Sequence, residues 1–364
     1  MSFSVKIFGA GSIGNHLAHA SRSLGWDVVI CDISQAALDR TRNEIYPTRY
    51  GKWDEAIELC SNDAAPTGGA DLVVVGTPPD THLPLAREAV EEKPKAILIE
   101  KPLCGPDLDG AADLVKRADE LGVKLFVGYD HVVSKVTGLA GDLLANPALG
   151  TIQTIDVEFR EYWGGIFKAH PWLAGPWETY LGFWKKGGGA SGEHSHALNL
   201  WQHLAHLAGA GRVVEVQAMM ELVTDARVDY DKICLMNLKT ESGLVGRCVQ
   251  DVVTEPSRKW ARVQGESGFV DWTMTPGQDR LRAQMAGQDP VEQSLSKTRP
   301  DDFITELRHI EATLKDGAPQ SPIALTFGLD TMLAVAAAHL SRQTGRSVAI
   351  DYSAGPRPEA LSTL

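Results

Sequence analysis

Apolar positions follow one rhythm up to about Val127 and a different one beyond it. In the first part, short and mostly apolar runs at 5–8, 27–31, 71–75, 96–99 and 124–127 suit strands buried on both faces. Between them lie stretches with helical spacing. Ile13, Leu17, Ala20 and Leu24 form one stripe, Leu83, Ala86 and Val90 another, and further helical patterns cover 34–45, 52–60 and 107–121. Strands alternating with helices of this length predict a parallel, doubly wound sheet over residues 1–127. From 128 the pattern turns β-rich. After a helix carrying Val136, Leu139 and Leu143, strands are expected at 151–162, 213–222, 233–239, 243–252, 260–264 and 268–272. They predict a second α/β domain, 128–364, with one large, open, mostly antiparallel sheet. Its last helix could pack back on the first domain. The fold class is α/β.

Polar residues gather where the apolar runs of the first domain stop, and in an open α/β sheet that edge is where ligands bind. The first run enters Gly9-Ala10-Gly11-Ser12-Ile13-Gly14, then a helix, then a second strand ending at Asp32. Strand, GxGxxG, helix, strand and acid stand in the order of a dinucleotide site. Gly9 allows the tight turn, Gly11 lets a diphosphate approach the backbone, and Gly14 lets helix and strand pack closely. Ser12 and Ile13 open the helix whose free N–H groups would face that diphosphate. Asp32 would accept hydrogen bonds from the adenosine ribose and repel a 2′-phosphate, which favours NAD over NADP. At the next strand end stand Thr77, Pro78 and His82, further candidates for the cofactor, with His82 equally readable as a polar residue starting a helix. The run at 96–99 ends in Glu100-Lys101-Pro102. Burying such a pair is costly unless it is paired or bound to something, so Lys101 reads either as placed for chemistry or as half of an ion pair capping a strand.

In the second domain chemistry is densest at 187–201, where a glycine-rich loop precedes a helix. Its first turn is expected to offer Glu193, His194, His196 and Asn199. A spacing of three puts His196 and Asn199 on one side, with Glu193 a turn earlier. A histidine suits proton transfer near neutrality, and a lysine can stabilise a developing alkoxide. Capping of the helix is the plainer reading of His194 and His196. A metal held by Glu193, His194, His196 and His203 is disfavoured, because HxH alternation does not keep both rings on one helical face. Just upstream, residues 162–184 are rich in aromatics and broken by glycine and proline. Packing is the default for these rings, with Tyr162 and Trp163 the candidates for stacking on a sugar.

Composition narrows the partners. Of 364 residues, 43% are hydrophobic and 23% charged, as in ordinary globular enzymes, and the formal charge is −12. Nucleic acid and anionic membranes both call for basic faces, so neither is an expected partner. Five scattered cysteines without CxxC spacing read as reduced and structural. Met1-Ser2-Phe3-Ser4 leads straight into the first strand without a secretory segment, so a cytoplasmic location is expected.

Gly9-Ala10-Gly11-Ser12-Ile13-Gly14, Thr77-Pro78-Pro79-Asp80-Thr81-His82 and Glu100-Lys101-Pro102-Leu103 together resemble the glucose–fructose oxidoreductase, inositol dehydrogenase and rhizopine catabolism (Gfo/Idh/MocA) family. The resemblance continues through Gly128-Tyr129-Asp130-His131 and the second-domain sheet to the tail, with 303–314, 316–319 and 334–341. It implies an NAD-dependent oxidoreductase acting on a secondary alcohol or ketone of a sugar, sugar derivative or cyclitol. The motif lysine, a catalytic residue beside the nicotinamide in the family, falls on Lys101. Relatives often turn sharply there, so a cis Lys101-Pro102 bond is expected. Glu100 and Asp130 become candidate cofactor contacts, although Asp130 replaces the family's Asn and Val132 its common Arg. His196 matches the family's histidine, Asn199 replaces the acid three residues on, and Glu193 most nearly matches the preceding Asp. The resemblance further implies a homodimer or homotetramer through the open sheet. Two other functions stay open: a redox-neutral sugar-modifying enzyme that retains NAD, and a dinucleotide-sensing regulator, against which Lys101 and His196 argue.

Overall fold

The computed structural model describes residues 2–316 and 321–364, so Gly317, Ala318 and Pro319 of the tail resemblance lie outside the described residues. The chain opens with β1 (Ser4–Phe8), α1 (Ser12–Ser23), β2 (Asp27–Asp32), α2 (Gln35–Arg40), α3 (Tyr46–Tyr50) and β3 (Ile57–Ser61). There follow β4 (Leu72–Val75), α4 (His82–Glu91), β5 (Ala96–Ile99), α5 (Ala111–Leu121) and β6 (Lys124–Val127). The six strands form a parallel sheet in the order β3-β2-β1-β4-β5-β6. Every residue of β4 and β5 is buried, because helices cover both faces. The reversal of strand order falls between β1 and β4, and the ends of those strands meet there: a Cβ on Gly9 would stand 2.6 Å from Gly76 O. The 52–60 segment departs from expectation. It holds the edge strand β3, with only Ile57 fully buried, and the helical stretch before it ends at Tyr50.

The second part runs through α6 (Lys135–Leu144), β7 (Ile152–Arg160), α7 (Trp163–Ala169), α8 (Gly189–Glu193) and α9 (Ser195–Leu207). Then come β8 (Val213–Thr224), β9 (Asp229–Thr240), β10 (Val245–Asp251), β11 (Arg258–Gly265), β12 (Gly268–Thr275), β13 (Gln278–Met285) and β14 (Val291–Ser296). The tail adds α10 (Arg299–Asp316), α11 (Leu325–Thr344), β15 (Val348–Ile350) and β16 (Leu361–Thr363). Ten strands form one sheet in the order β14-β13-β12-β11-β7-β10-β9-β8-β15-β16. All its pairings are antiparallel except β7 with β10. Side chains alternate across each strand, and α6, α9 and α11 pack on one face, where Cys234, Met236, Leu238 and Cys248 are buried. Trp201 of α9 is fully buried there, and its Nε1 donates to Ile155 O at 2.9 Å. Helix α10 packs on α1, with Phe303 stacked on His16, and Val127 N donates to Ile323 O just before α11.

Candidate active site

The glycine loop has the shape its spacing predicts. Gly9 has φ +108°, open to glycine at little cost, and a Cβ on Gly14 would meet Gly9 O at 2.0 Å. Gly11 is exposed, with nothing within 4 Å of where its Cβ would be. Open space therefore lies above the loop where a diphosphate needs to reach the backbone. Asp32 ends β2 and braces the crevice: its Oδ2 accepts from Ala10 N at 2.8 Å and its Oδ1 from Ser34 N at 2.8 Å. Ser12 and Ile13 open α1, half-buried, and half-buried Thr77 and exposed Pro78 form the opposite lip. These residues fit a dinucleotide. His82 is a different case. It is fully buried, its Nε2 pairs with Thr77 O at 2.7 Å and its Nδ1 with Pro102 O at 3.0 Å. Burial pushes its pKa down to about 4, so the neutral ring donates to one of these two carbonyls, and with both nitrogens turned to backbone it joins the two loops and not the cofactor crevice.

Beyond the loop, β5 delivers Glu100 and Lys101 to the junction of the two sheets. The Lys101-Pro102 bond is cis, as the resemblance implies. Glu100 is buried against Gly128, where a Cβ would lie 2.7 Å from its Oε1, and burial pushes its carboxyl above the usual range in spite of Lys101. Behind it, Glu306 of α10 is fully buried with neither carboxylate oxygen hydrogen-bonded among the described residues. Burial, with Glu100 and Asp130 nearby, pushes its carboxyl well up.

Lys101 reaches across to α8. Its Nζ lies 3.1 Å from Glu193 Oε1 and 3.3 Å from Glu193 O. Tyr180 OH donates to the other carboxylate oxygen at 2.8 Å. Burial alone would raise the Glu193 carboxyl, but Lys101, His194 and Tyr180 outweigh it and hold the group below its ordinary value. Glu193 does not share a helix turn with His196. It ends α8, and the chain breaks at His194 before α9 begins.

His196 enters from the first turn of α9, with 13% of its side chain exposed. Its Nδ1 lies 3.8 Å from Asp130 Oδ1, and its ring packs 4.2 Å from that of His131. Asp130 is also hydrogen-bonded to His131 Nδ1. Burial opposes the Asp130 charge, but the two histidines hold the carboxyl well below its usual range. Burial first, then His131, pushes the His196 imidazole well below its ordinary value, with Asp130 only partly offsetting them. The ring is thereby held toward its neutral form, with Nδ1 facing the Asp130 carboxylate and without a hydrogen-bond partner among the described residues.

Three other candidates sit elsewhere than expected. The Asn199 side chain turns from the site to donate to Thr331 Oγ1 of α11 at 3.1 Å. Trp163 is 5% exposed and packs against Phe167 and Tyr230 in a small core of its own, so it offers no face to a sugar. Tyr162, at 50% exposed, does. His194 is buried, burial pushes it down to about 4, and its carbonyl accepts from Gln250. The Glu193, His194, His196 and His203 set does not converge. Among the described residues the one group whose ligand atoms lie together, within 4.8 Å, is Asp130, His131 and His196, and there His131 Nδ1 is already bonded to Asp130. Sequence reasoning did not single out His131 or the Tyr180 hydroxyl. The departures from the family pattern at Asp130 and Val132, on either side of it, were the available signal for the first; nothing local marks the second.

Residues 3–129 match the family described as "Oxidoreductase family, NAD-binding Rossmann fold" (GFO/IDH/MocA), and residues 139–271 match the GFO/IDH/MocA C-terminal domain. No curated protein matches the chain. Solved structures share its fold over nearly its whole length. GenD2 from gentamicin A biosynthesis, in complex with NAD, is 21% identical with a TM-score of 0.75, covering 96% of each chain. The WlbA dehydrogenase from Bordetella pertussis, in complex with NADH and UDP-GlcNAcA, is 21% identical with a TM-score of 0.70, covering 96% of this chain and 99% of that one. A levoglucosan dehydrogenase in complex with NADH is 16% identical with a TM-score of 0.75 and the same coverage.

Proposed function

Because the chain belongs to the GFO/IDH/MocA family of NAD-binding oxidoreductases, we propose that it moves a hydride between NAD and a secondary alcohol or ketone of a sugar, sugar derivative or cyclitol. The observation that carries this reading is a cation tethered just past the end of β5, Lys101 on Glu193, whose charge acts on a buried histidine, His196 beside Asp130. NAD, when bound, supplies the hydride acceptor for oxidation. Lys101 orients the substrate hydroxyl and stabilises the alkoxide as it forms. His196 accepts the hydroxyl proton, and Asp130 stabilises the resulting imidazolium. Tyr180 and Glu193 fix Lys101, and exposed Tyr162 offers a face for C–H stacking. Matched proteins solved with UDP-GlcNAcA or named for levoglucosan support a carbohydrate-like substrate. The open face of the ten-stranded sheet serves as a dimer or tetramer contact.

The test is a thermal-shift screen of sugars, nucleotide sugars and inositols with NAD present, followed by NADH formation on the compounds that stabilise. At least one polyol of this class should both raise the melting temperature and yield NADH. A compound that stabilises and turns over without free NADH favours the redox-neutral reading. Stabilisation by NAD but by no member of the panel overturns the carbohydrate assignment.

A further inference from the structure

Two arginines stand beside the first turns of α1, neither paired with an acid among the described residues. Arg49, on α3, donates from Nη1 to Ser12 O at 2.9 Å and from Nη2 to Ser12 Oγ at 2.8 Å. Ser12 begins α1, so this guanidinium sits at the positive end of the helix dipole, where a cation is disfavoured unless an anion joins it. The first turn of α1 carries no acidic residue, and no side chain caps it. Arg299, the first residue of α10, approaches from the other part of the chain. Its guanidinium lies 4.9 Å above the Phe303 ring, and Phe303 stacks at 4.9 Å on His16, one turn into α1. Neither arginine has a carboxylate partner among the described residues, in a chain whose formal charge is −12.

Their fields overlap. After burial, Arg299 contributes to holding Arg49 below its ordinary value. Arg299 also acts on His16 and Tyr50 at the glycine loop, and on Glu100 and Asp130 further along the cleft. Its charge is therefore felt from the glycine loop to Glu100 and Asp130. Two like charges and a helix N-terminus converging on one spot are mutually repulsive until an anion lies among them. Arginine's planar fork suits phosphate oxygens. The location picks which phosphate: Arg49 is anchored at Ser12, in the glycine loop, and not beside Asp32 where a ribose 2′-phosphate would lie.

We propose that Arg49 and Arg299 hold the diphosphate of bound NAD beside the glycine-loop amides, so that side chains as well as backbone bind it. The clamp rests on NAD binding alone and is independent of the hydride chemistry and of the substrate.

The experiment measures dissociation constants of the full chain for NAD+, NADP+, ADP-ribose and adenosine by titration calorimetry, at low and high salt. Arg299 is exposed, so R299A should leave the fold intact. It should weaken NAD+ and ADP-ribose about ten- to a hundredfold, as expected for losing a charge-assisted hydrogen bond. Adenosine affinity should not change, and the salt dependence of NAD+ binding should flatten. R49K, which keeps charge but loses the fork, should weaken the same two ligands less than R49A. A wild type that binds NAD+ with R299A unchanged overturns the clamp alone. A loss confined to NADP+ moves the pair to a 2′-phosphate and overturns it as well. A wild type binding neither NAD+ nor ADP-ribose overturns the clamp together with the cofactor reading.

Discussion

Lys101 and His196 are separated by 95 positions, yet the charge of one is felt by the ring of the other, and each stands beside a partner distant in sequence. Lys101 is held by Glu193, and His196 lies beside Asp130. Residue identity alone suggests a rate that rises through the ordinary histidine range near 6.5. The structure moves that expectation. Burial and His131 lower the His196 pKa, so the protonated, inactive form appears only at more acid pH. Alcohol oxidation should therefore be flat through neutrality and fall on the acid side, well below the usual histidine value. His196→Ala should abolish this acid limb and cost about a hundred- to ten-thousandfold in rate. Lys101→Met should keep the limb and lower the plateau by about a hundred- to a thousandfold. A pH–rate profile of the three proteins decides it; if His196→Ala keeps both rate and limb, His196 is no base. Glu193→Gln separates a second pair of roles. If Glu193 only positions Lys101, the plateau should drop about ten- to a hundredfold with the limb in place. Movement or loss of the limb in that variant would assign the base to Glu193.

At the scale of elements, the strongly periodic pieces were legible and the edges were not. Strands β4 and β5 are unbroken apolar runs because helices cover both their faces, and β1, β2 and β6 are mostly apolar, with Lys6 of β1 buried on Glu92. Strand β3 lies at the edge of the sheet and its one fully buried residue is Ile57, so nothing in its composition separates it from a polar helix. Strand β13 hides its alternation because one inward position is Asp279, buried on Lys297. The glycine loop was legible since its geometry is local. Within the 187–201 stretch the short helix α8, the break at His194 and the turn of Asn199 toward α11 were missed, and all are set by long-range contacts. Gly189 has φ +78°, and a Cβ there would stand 1.9 Å from Asp231 Oδ1, whose carboxylate accepts from Ser191 N at 2.7 Å. Burial pushes Asp231 up to about 7, so the turn is built around a carboxyl with little room to adjust. Gly189→Ala should lower stability by about 1–3 kcal/mol in urea unfolding and displace Glu193 from Lys101. Activity should fall steeply while NAD affinity, which depends on the other sheet, is nearly kept. An active Gly189→Ala enzyme would show that α8 does not position Lys101.

For the whole molecule, the open face of the ten-stranded sheet is the feature the single chain leaves unexplained. One face is sealed by α6, α9 and α11. On the other, Met219 is 75% exposed, Leu235 41% and Val245 54%. Met219 stands opposite Leu235 across β8 and β9, Leu235 opposite Val249 across β9 and β10, and Val245 lies on the same side of β10. Around this apolar strip run ion pairs of Arg247 with Asp156 and Glu158, and of Arg258 with Glu158. Their arginines are about half exposed although Glu158 is buried, so they set register more than affinity. An apolar centre with a charged rim is the anatomy of a protein interface. A two-fold contact would place the same strip of a second copy against it. Sedimentation velocity should accordingly give two or four times the protomer mass. Substituting Met219 and Leu235 together with lysine puts two charges at the centre of the strip in each copy. The double variant should sediment as a protomer with its circular dichroism unchanged, because neither side chain touches the core. A wild type that sediments as a protomer at micromolar concentration removes the oligomer outright. A double variant that still assembles moves the contact to another surface.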